Sequence, residues 1–173
     1  MTEQVQRPGA ARLGRAAMGE RLGGFVYGTI VVLAVVVAGA RAYPQEAGHI
    51  AVLVVVTTGV LWLAHVYSHG LAHSVAYDLH LSRADLWRIA RHEGAIIEAA
   101  LPPVAALLLG ALGVVSTQVA VWSALVLGLV VLAAQGYLFA RVERLAWPGT
   151  LVVIAANLGL GALIIGLKLL VTH

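Results

Sequence analysis

The hydrophobic positions of the chain fall into five long stretches separated by short polar segments. A membrane-spanning helix needs about 20 predominantly apolar residues, and each stretch meets this length. The stretches cover approximately 22–42, 49–76, 94–115, 119–140 and 147–171. The pattern therefore predicts an all-α membrane protein in which residues 21–173 form a single domain of five transmembrane helices.

A different pattern covers residues 82–93, which are mainly polar and basic. Ser82 is followed three positions later by Asp85, a spacing that predicts a capping box at the start of a helix. Leu86 and Trp87 lie among arginines at helical spacing. We therefore expect a short amphipathic helix at the cytoplasmic interface of the membrane, leading into the third span.

Two features of the spans concern their shape and association. Pro102 and Pro103 interrupt the third span, and we expect them to kink it because each removes a backbone hydrogen bond. The chain also contains 19 glycines, and small residues allow helices to approach closely within the membrane. Both internal packing and homo-oligomerisation can use them, and we expect a homo-oligomer because five helices enclose little space.

The composition supports a membrane protein and excludes several other classes. Hydrophobic residues make up 61% of the chain and charged residues only 11%, against about 25% charged residues in an ordinary soluble domain. The absence of cysteine excludes a disulfide scaffold, thiolate chemistry and iron–sulfur clusters. We expect a lipid bilayer as the environment and no nucleic-acid partner.

The basic residues are distributed unevenly between the two sides of the predicted membrane domain. Nine of the eleven Lys and Arg residues lie on the side of the N-terminus, and Arg41 and Lys168 lie on the other. The positive-inside rule therefore predicts a cytoplasmic N-terminus and an external C-terminus. Residues 1–20 are expected to form a basic, partly disordered cytoplasmic arm. The nine are Arg7, Arg12, Arg15, Arg21, Arg83, Arg88, Arg91, Arg141 and Arg144.

Ionisable residues lie within or near the ends of the second and third spans, where they are costly to bury. His65, His69 and His73 have the spacing i, i+4, i+8 and therefore share one face of the second helix. If the second and third helices are antiparallel neighbours, Glu98 lies at the depth of His65. Glu93 and His69 then form a second facing pair, closer to the cytoplasm.

Polar residues of the other spans lie at similar depths. Gln135 is about 24 Å along the fourth span, and Tyr27 is about 7 Å from the cytoplasmic boundary of the first. The outer halves of the spans consist mainly of Val, Leu, Ala and Gly. We therefore expect a polar site in the cytoplasmic leaflet, formed by His65, His69 and Glu98 with support from Glu93, Gln135 and Tyr27.

Three kinds of chemistry are compatible with these residues. Histidine and a buried carboxylate can relay protons or accompany a cation, which favours a channel-like or transporter protein. His65, His69 and His73 with a carboxylate can instead bind a divalent metal, as a metal protein or enzyme. Thirdly, the polar residues can serve only to hold helices together by hydrogen bonds, in a non-catalytic scaffold or accessory subunit. We expect no catalytic residues and no cofactor other than such a metal.

Two short segments are similar to a known family. Arg21-Leu22-x-x-Phe25-x-x-Gly28 opens the first span, and Trp62-x-x-His65 lies late in the second. Both resemble elements of bacterial potassium channels of the transmembrane-protein-175 type, in which Ser-Asp stands where this chain has Val26 and Tyr27. The resemblance implies an oligomeric cation channel whose first helix lines the pore. The Val-, Ala-, Gly- and Arg-rich composition also resembles that of small integral membrane proteins of bacteria with GC-rich genomes.

Overall fold

The computed structural model describes residues 10–77 and 82–171 of the chain, and in these residues it contains helices and turns but no strand. The all-α class predicted from the sequence is confirmed for this part of the chain. The helices are α1 (Ala10–Ala42), α2 (Ala47–Tyr77), α3 (Arg83–His92), α4 (Ala95–Glu98), α5 (Leu101–Ala111), α6 (Thr117–Val142) and α7 (Trp147–Val171).

Four of the described helices contain a segment that is long and apolar enough to cross a membrane. These segments are Met18–Ala42, Ala47–Ser74, Thr117–Val142 and Trp147–Gly166. A fifth candidate is broken, because Arg83–Glu98 and Leu101–Ala111 are bent by 52° relative to one another. The described residues thus provide four to five spans, depending on whether this pair counts as one.

The break in the third predicted span lies just before the two prolines. Pro102 and Pro103 occupy the first turn of α5, where a missing N–H costs little because these groups have no intrahelical acceptor. The carbonyl groups of Glu98 and Ala99 lose their usual donors. The chain therefore bends at Ala99 and Ala100, between α4 and α5, rather than at the prolines themselves.

The broken pair runs from one end of the helix bundle to the other. Its first part ends beside α1, where Arg21 donates to the Glu98 carboxylate at 2.9 Å. Beyond its end, Thr117 donates its hydroxyl to the carbonyl oxygen of Gln45, in the α1–α2 turn, at 3.1 Å. We call the end that carries Arg21 and α3 the arginine-rich end, and the end that carries the α1–α2 turn the opposite end.

The core between the two ends is apolar. It combines Val32, Leu33 and Val36 of α1 with side chains from three other helices, and these side chains have almost no solvent exposure. Many other large apolar side chains lie on the outer surface, where hydrocarbon rather than water suits them. The other large core residues are Ile50 and Val54 of α2, Leu107 of α5, and Leu125 and Leu132 of α6.

Two segments at the arginine-rich end can be compared with the predictions. The capping box of α3 is confirmed, because Asp85 donates its N–H to the Ser82 hydroxyl at 3.1 Å and accepts from the Ser82 N–H at 3.3 Å. The predicted N-terminal arm differs, because α1 already begins at Ala10. Residues 10–20 are rich in Ala, Arg and Leu, which favour helix. Residues 1–9 of the arm lie outside the described residues.

Candidate functional site

A cavity of about 700 Å³ opens at the arginine-rich end between α1, α2 and α3. Its volume falls within the range of small-molecule sites, about 300–1,000 Å³. Gly23 and Gly24 of α1 form part of its wall and leave room beside the helix. Its polar lining consists of Glu20, Tyr27, His65, His69, His73, Arg88, His92 and Glu93.

The histidine face of α2 forms one wall of this cavity. His65, His69 and His73 all line it, so the shared face predicted from their spacing is confirmed. The ring centroids of His65 and His69 are 6.3 Å apart in an edge-on arrangement. The three imidazoles form a row that extends from the mouth of the cavity toward the interior of the bundle.

Glu93 is the buried ionisable residue of the site. Its side chain is only 10% exposed, because Glu93 ends α3 at the point where the chain turns into α4. His69 Nδ1 lies 2.8 Å from Glu93 Oε1, which confirms the predicted contact between them. A buried carboxylate needs such a partner, since its desolvation is otherwise uncompensated.

His65 lies at the inner end of the row. Its Nδ1 is 3.0 Å from the carbonyl oxygen of Leu61, one turn earlier in α2. A carbonyl oxygen only accepts, so this bond places a proton on Nδ1, and in the neutral ring Nε2 is then an acceptor. Tyr27 of α1 packs against the ring with the centroids 5.4 Å apart, which brings the phenol of one helix to the imidazole of the other.

α3 is held over the cavity by a contact with α2. Trp62 donates its indole N–H to the carbonyl oxygen of Ala90 at 3.0 Å. This carbonyl belongs to the last turn of α3, where carbonyl groups have no intrahelical partner. The indole therefore stabilises the end of α3 and fixes the position of Glu93, three residues further on.

Two of the residues predicted for the site lie elsewhere. Glu98 pairs with Arg21 at 2.9 and 3.0 Å instead of facing His65, because α4 packs on α1 at Gly28. Gln135 belongs to α6, and its buried Oε1 has no hydrogen-bond partner among the described residues. Neither Glu98 nor Gln135 lines the cavity.

The arrangement of the donor groups bears on metal binding. Within residues 10–77 and 82–171, no group of three or more His, Asp or Glu side chains is placed to hold a metal ion. His65, His69 and His73, the predicted metal ligands, are spread along the row rather than converging on one point.

Three further polar residues line the cavity but are not among those predicted for the site, namely Glu20, Arg88 and His92. Glu20 was placed in the N-terminal arm, outside the spans. Because α1 extends through this segment, Glu20 lies two turns before Tyr27 and on the same face. The spacing of seven residues between Glu20 and Tyr27, which corresponds to two helical turns, indicates that both side chains face the same site.

The two segments on which the predicted resemblance to potassium channels depends lie on α1 and α2 beside this cavity, with Gly28 buried against α4 and His65 in the row of imidazoles. No protein-family model, curated protein or solved structure matches the chain. The resemblance to transmembrane-protein-175-type channels stays a prediction from residues 21–28 and 62–65.

Proposed function

We propose that the chain is a small bacterial membrane protein that transfers protons or cations through a site in the cytoplasmic leaflet. The site consists of His65, His69 and Glu93, with Tyr27 beside it. The observation that carries the proposal is the His69–Glu93 pair, 2.8 Å apart on the wall of an open cavity. Gln135 and Glu98 are not part of this site.

The chemistry of the pair supports proton transfer. An imidazole titrates near neutral pH, and a carboxylate held within hydrogen-bond distance is a suitable donor or acceptor for it. Glu93 is shielded from water on most sides, so its carboxylate needs a nearby partner such as the His69 imidazole.

We infer the direction of access from the distribution of arginine. Counting the broken pair as one span, the chain crosses the bilayer five times in the bacterial cytoplasmic membrane, with the N-terminus inside and the C-terminus outside. The cavity then opens to the cytoplasm, and the apolar core around Leu33 and Leu107 closes it toward the outside. Transport requires this layer to open, or a second copy of the chain to complete the path.

Ion flux through the purified protein in liposomes tests the proposal. Separate proton and potassium gradients are imposed, and an internal pH-sensitive dye or a potassium-sensitive dye reports the flux. We expect flux with the natural chain and its loss in Glu93→Gln and His69→Gln. His49→Gln is the matched control, because His49 also pairs with a glutamate, Glu46, but near the opposite end.

Two other outcomes of the flux measurement would count against the proposed site or function. Flux equal to that of empty liposomes under every gradient contradicts the proposal and favours a scaffold or accessory subunit. Flux that persists unchanged in Glu93→Gln and His69→Gln assigns it to another part of the chain. Thermal unfolding in detergent shows for each variant whether the fold is retained.

A further inference from the structure

We propose that the transferred species is the proton and that His92 carries it from the cytoplasmic water to Glu93. This inference rests on the proposed function, because it specifies the substrate and the uptake path of the same site. The observation that carries it is the position of the His92 ring between two carboxylates. Both belong to the cavity lining, but they come from different parts of the fold.

The two ring nitrogens of His92 face different acids. Nε2 lies 3.6 Å from Oε2 of Glu20 on α1, and Nδ1 lies 3.7 Å from Oε1 of Glu93 at the end of α3. Both distances are slightly longer than a hydrogen bond. A small rotation of the ring, or one bridging water, is enough to connect either pair.

The exposure of these side chains decreases along the path. Glu20 is 71% exposed and His92 is 38% exposed, whereas Glu93 is 10% exposed. Glu20 therefore meets water at the mouth of the cavity, and Glu93 lies at the inner end of the path from Glu20 through His92. The Glu93 oxygen that faces His92 is also the one that lies 2.8 Å from His69 Nδ1, so this path leads directly to the row of imidazoles.

Each transfer conserves protons and charge. Neutral His92 accepts a proton at Nε2 from Glu20 or from water, and becomes an imidazolium ion. It then releases the proton on Nδ1 to the Glu93 carboxylate, and the ring is neutral again with its proton on Nε2. Water restores the original tautomer of His92 before the next transfer, because it takes the proton from Nε2 and supplies one to Nδ1. Glu93 passes its proton on to His69 when Nδ1 of that ring is unprotonated and its Nε2 carries the proton.

The groups around His92 favour a proton over a metal ion. Arg88 of α3 lines the same cavity, but its guanidinium is paired with Asp85 at 3.1 Å, so imidazoles and carboxylates are the groups left to take part in transfer. A proton moves by exchange between such groups, which are already present. The described residues also lack a group of three ligands that could hold a metal ion.

Chemical rescue in liposomes tests the role of His92. We expect His92→Ala to lose most of the proton flux, and free imidazole added to the liposomes to restore it, because the small molecule can occupy the vacated space and titrate as the side chain does. His92→Gln keeps polar contacts without titrating near neutral pH, so it should stay inactive. Glu20→Gln should slow the flux without abolishing it, since water reaches His92 directly.

The controls separate this inference from the proposed function. His49→Ala should keep its flux with and without imidazole, and Glu93→Gln should not respond to imidazole. Proton flux that is normal in His92→Ala and His92→Gln overturns the role of His92 while leaving the proposed function intact. Potassium flux that exceeds proton flux in the natural chain overturns the assignment of the proton. Absence of all flux in the natural chain overturns the proposed function itself.

Discussion

At the scale of single residues, two amides in neighbouring helices have opposite surroundings. Asn157 of α7 donates its side-chain N–H to the carbonyl oxygen of Leu132 on α6 at 3.2 Å. Gln135, one turn further along α6, buries an Oε1 that has no partner among the described residues. An unpaired buried acceptor costs about 1–3 kcal/mol, whereas a satisfied hydrogen bond contributes about 1 kcal/mol.

This contrast predicts opposite effects of removing the two amides. Gln135→Met keeps a similar side-chain length without the polar atoms, so it should raise the free energy of unfolding by about 1 kcal/mol. Asn157→Leu should lower it by a similar amount, because the bond between α6 and α7 is lost. Reversible unfolding in detergent micelles measures both. A clear loss of stability in Gln135→Met would show that its carbonyl group has a partner in the membrane.

At the scale of helices, one close crossing positions the whole site. Gly28 of α1 packs on α4, where an added Cβ atom would lie 3.0 Å from both the Cα atom and the carbonyl oxygen of Ile96. These are backbone atoms of a buried residue, so they cannot move aside as a side-chain tip can. The crossing sets the distance between α1, which carries Tyr27, and the segment that carries Glu93.

Gly28→Ala should therefore separate α1 from α4. Overpacking of this kind costs about 1–3 kcal/mol, and we expect both a lower unfolding temperature and a reduced flux. Gly19→Ala is the control on the same helix, because nothing lies within 4 Å of its added Cβ. It should leave stability unchanged or raise it slightly, since Ala favours helix more than Gly does. Equal stability of the two variants would contradict the close crossing.

At the scale of the whole molecule, the chain is suited to a test of its orientation because it contains no cysteine. Single cysteines can be introduced at the exposed positions Ala84, in α3, and Gln45, in the α1–α2 turn. With a cytoplasmic N-terminus, a membrane-impermeant thiol reagent should label Gln45→Cys in intact cells and reach Ala84→Cys only after lysis. The reverse pattern would place the cavity on the outside.

A third cysteine tests the broken span. Val114, in the turn between α5 and α6, is 67% exposed and lies near the opposite end of the bundle. If α4 and α5 cross the membrane together, Val114→Cys should be labelled from the same side as Gln45→Cys. Labelling from the side of Ala84→Cys would instead make the pair a re-entrant loop and reduce the number of spans to four.

Much of the architecture follows from local patterns. The lengths of the apolar stretches, the start of α3 at Ser82 and the row of His65, His69 and His73 depend on residues a few positions apart in sequence. Helix periodicity and capping act at this range, so the all-α class and the histidine face could be predicted. The bend near Pro102 was predicted for the same reason, although the break lies slightly earlier.

The pairing of the carboxylates depended on long-range packing. Two glutamates, Glu93 and Glu98, lie five residues apart near the cytoplasmic end of the third predicted span, and no local pattern distinguishes which one meets a histidine. The rotation of α4 against α1, set where Gly28 approaches Ile96, turns Glu98 toward Arg21. Glu93 is left beside His69, and His92 comes to lie between it and Glu20. Helix order and rotation arise from interhelical contacts, so the membership of the site is a property of the tertiary structure.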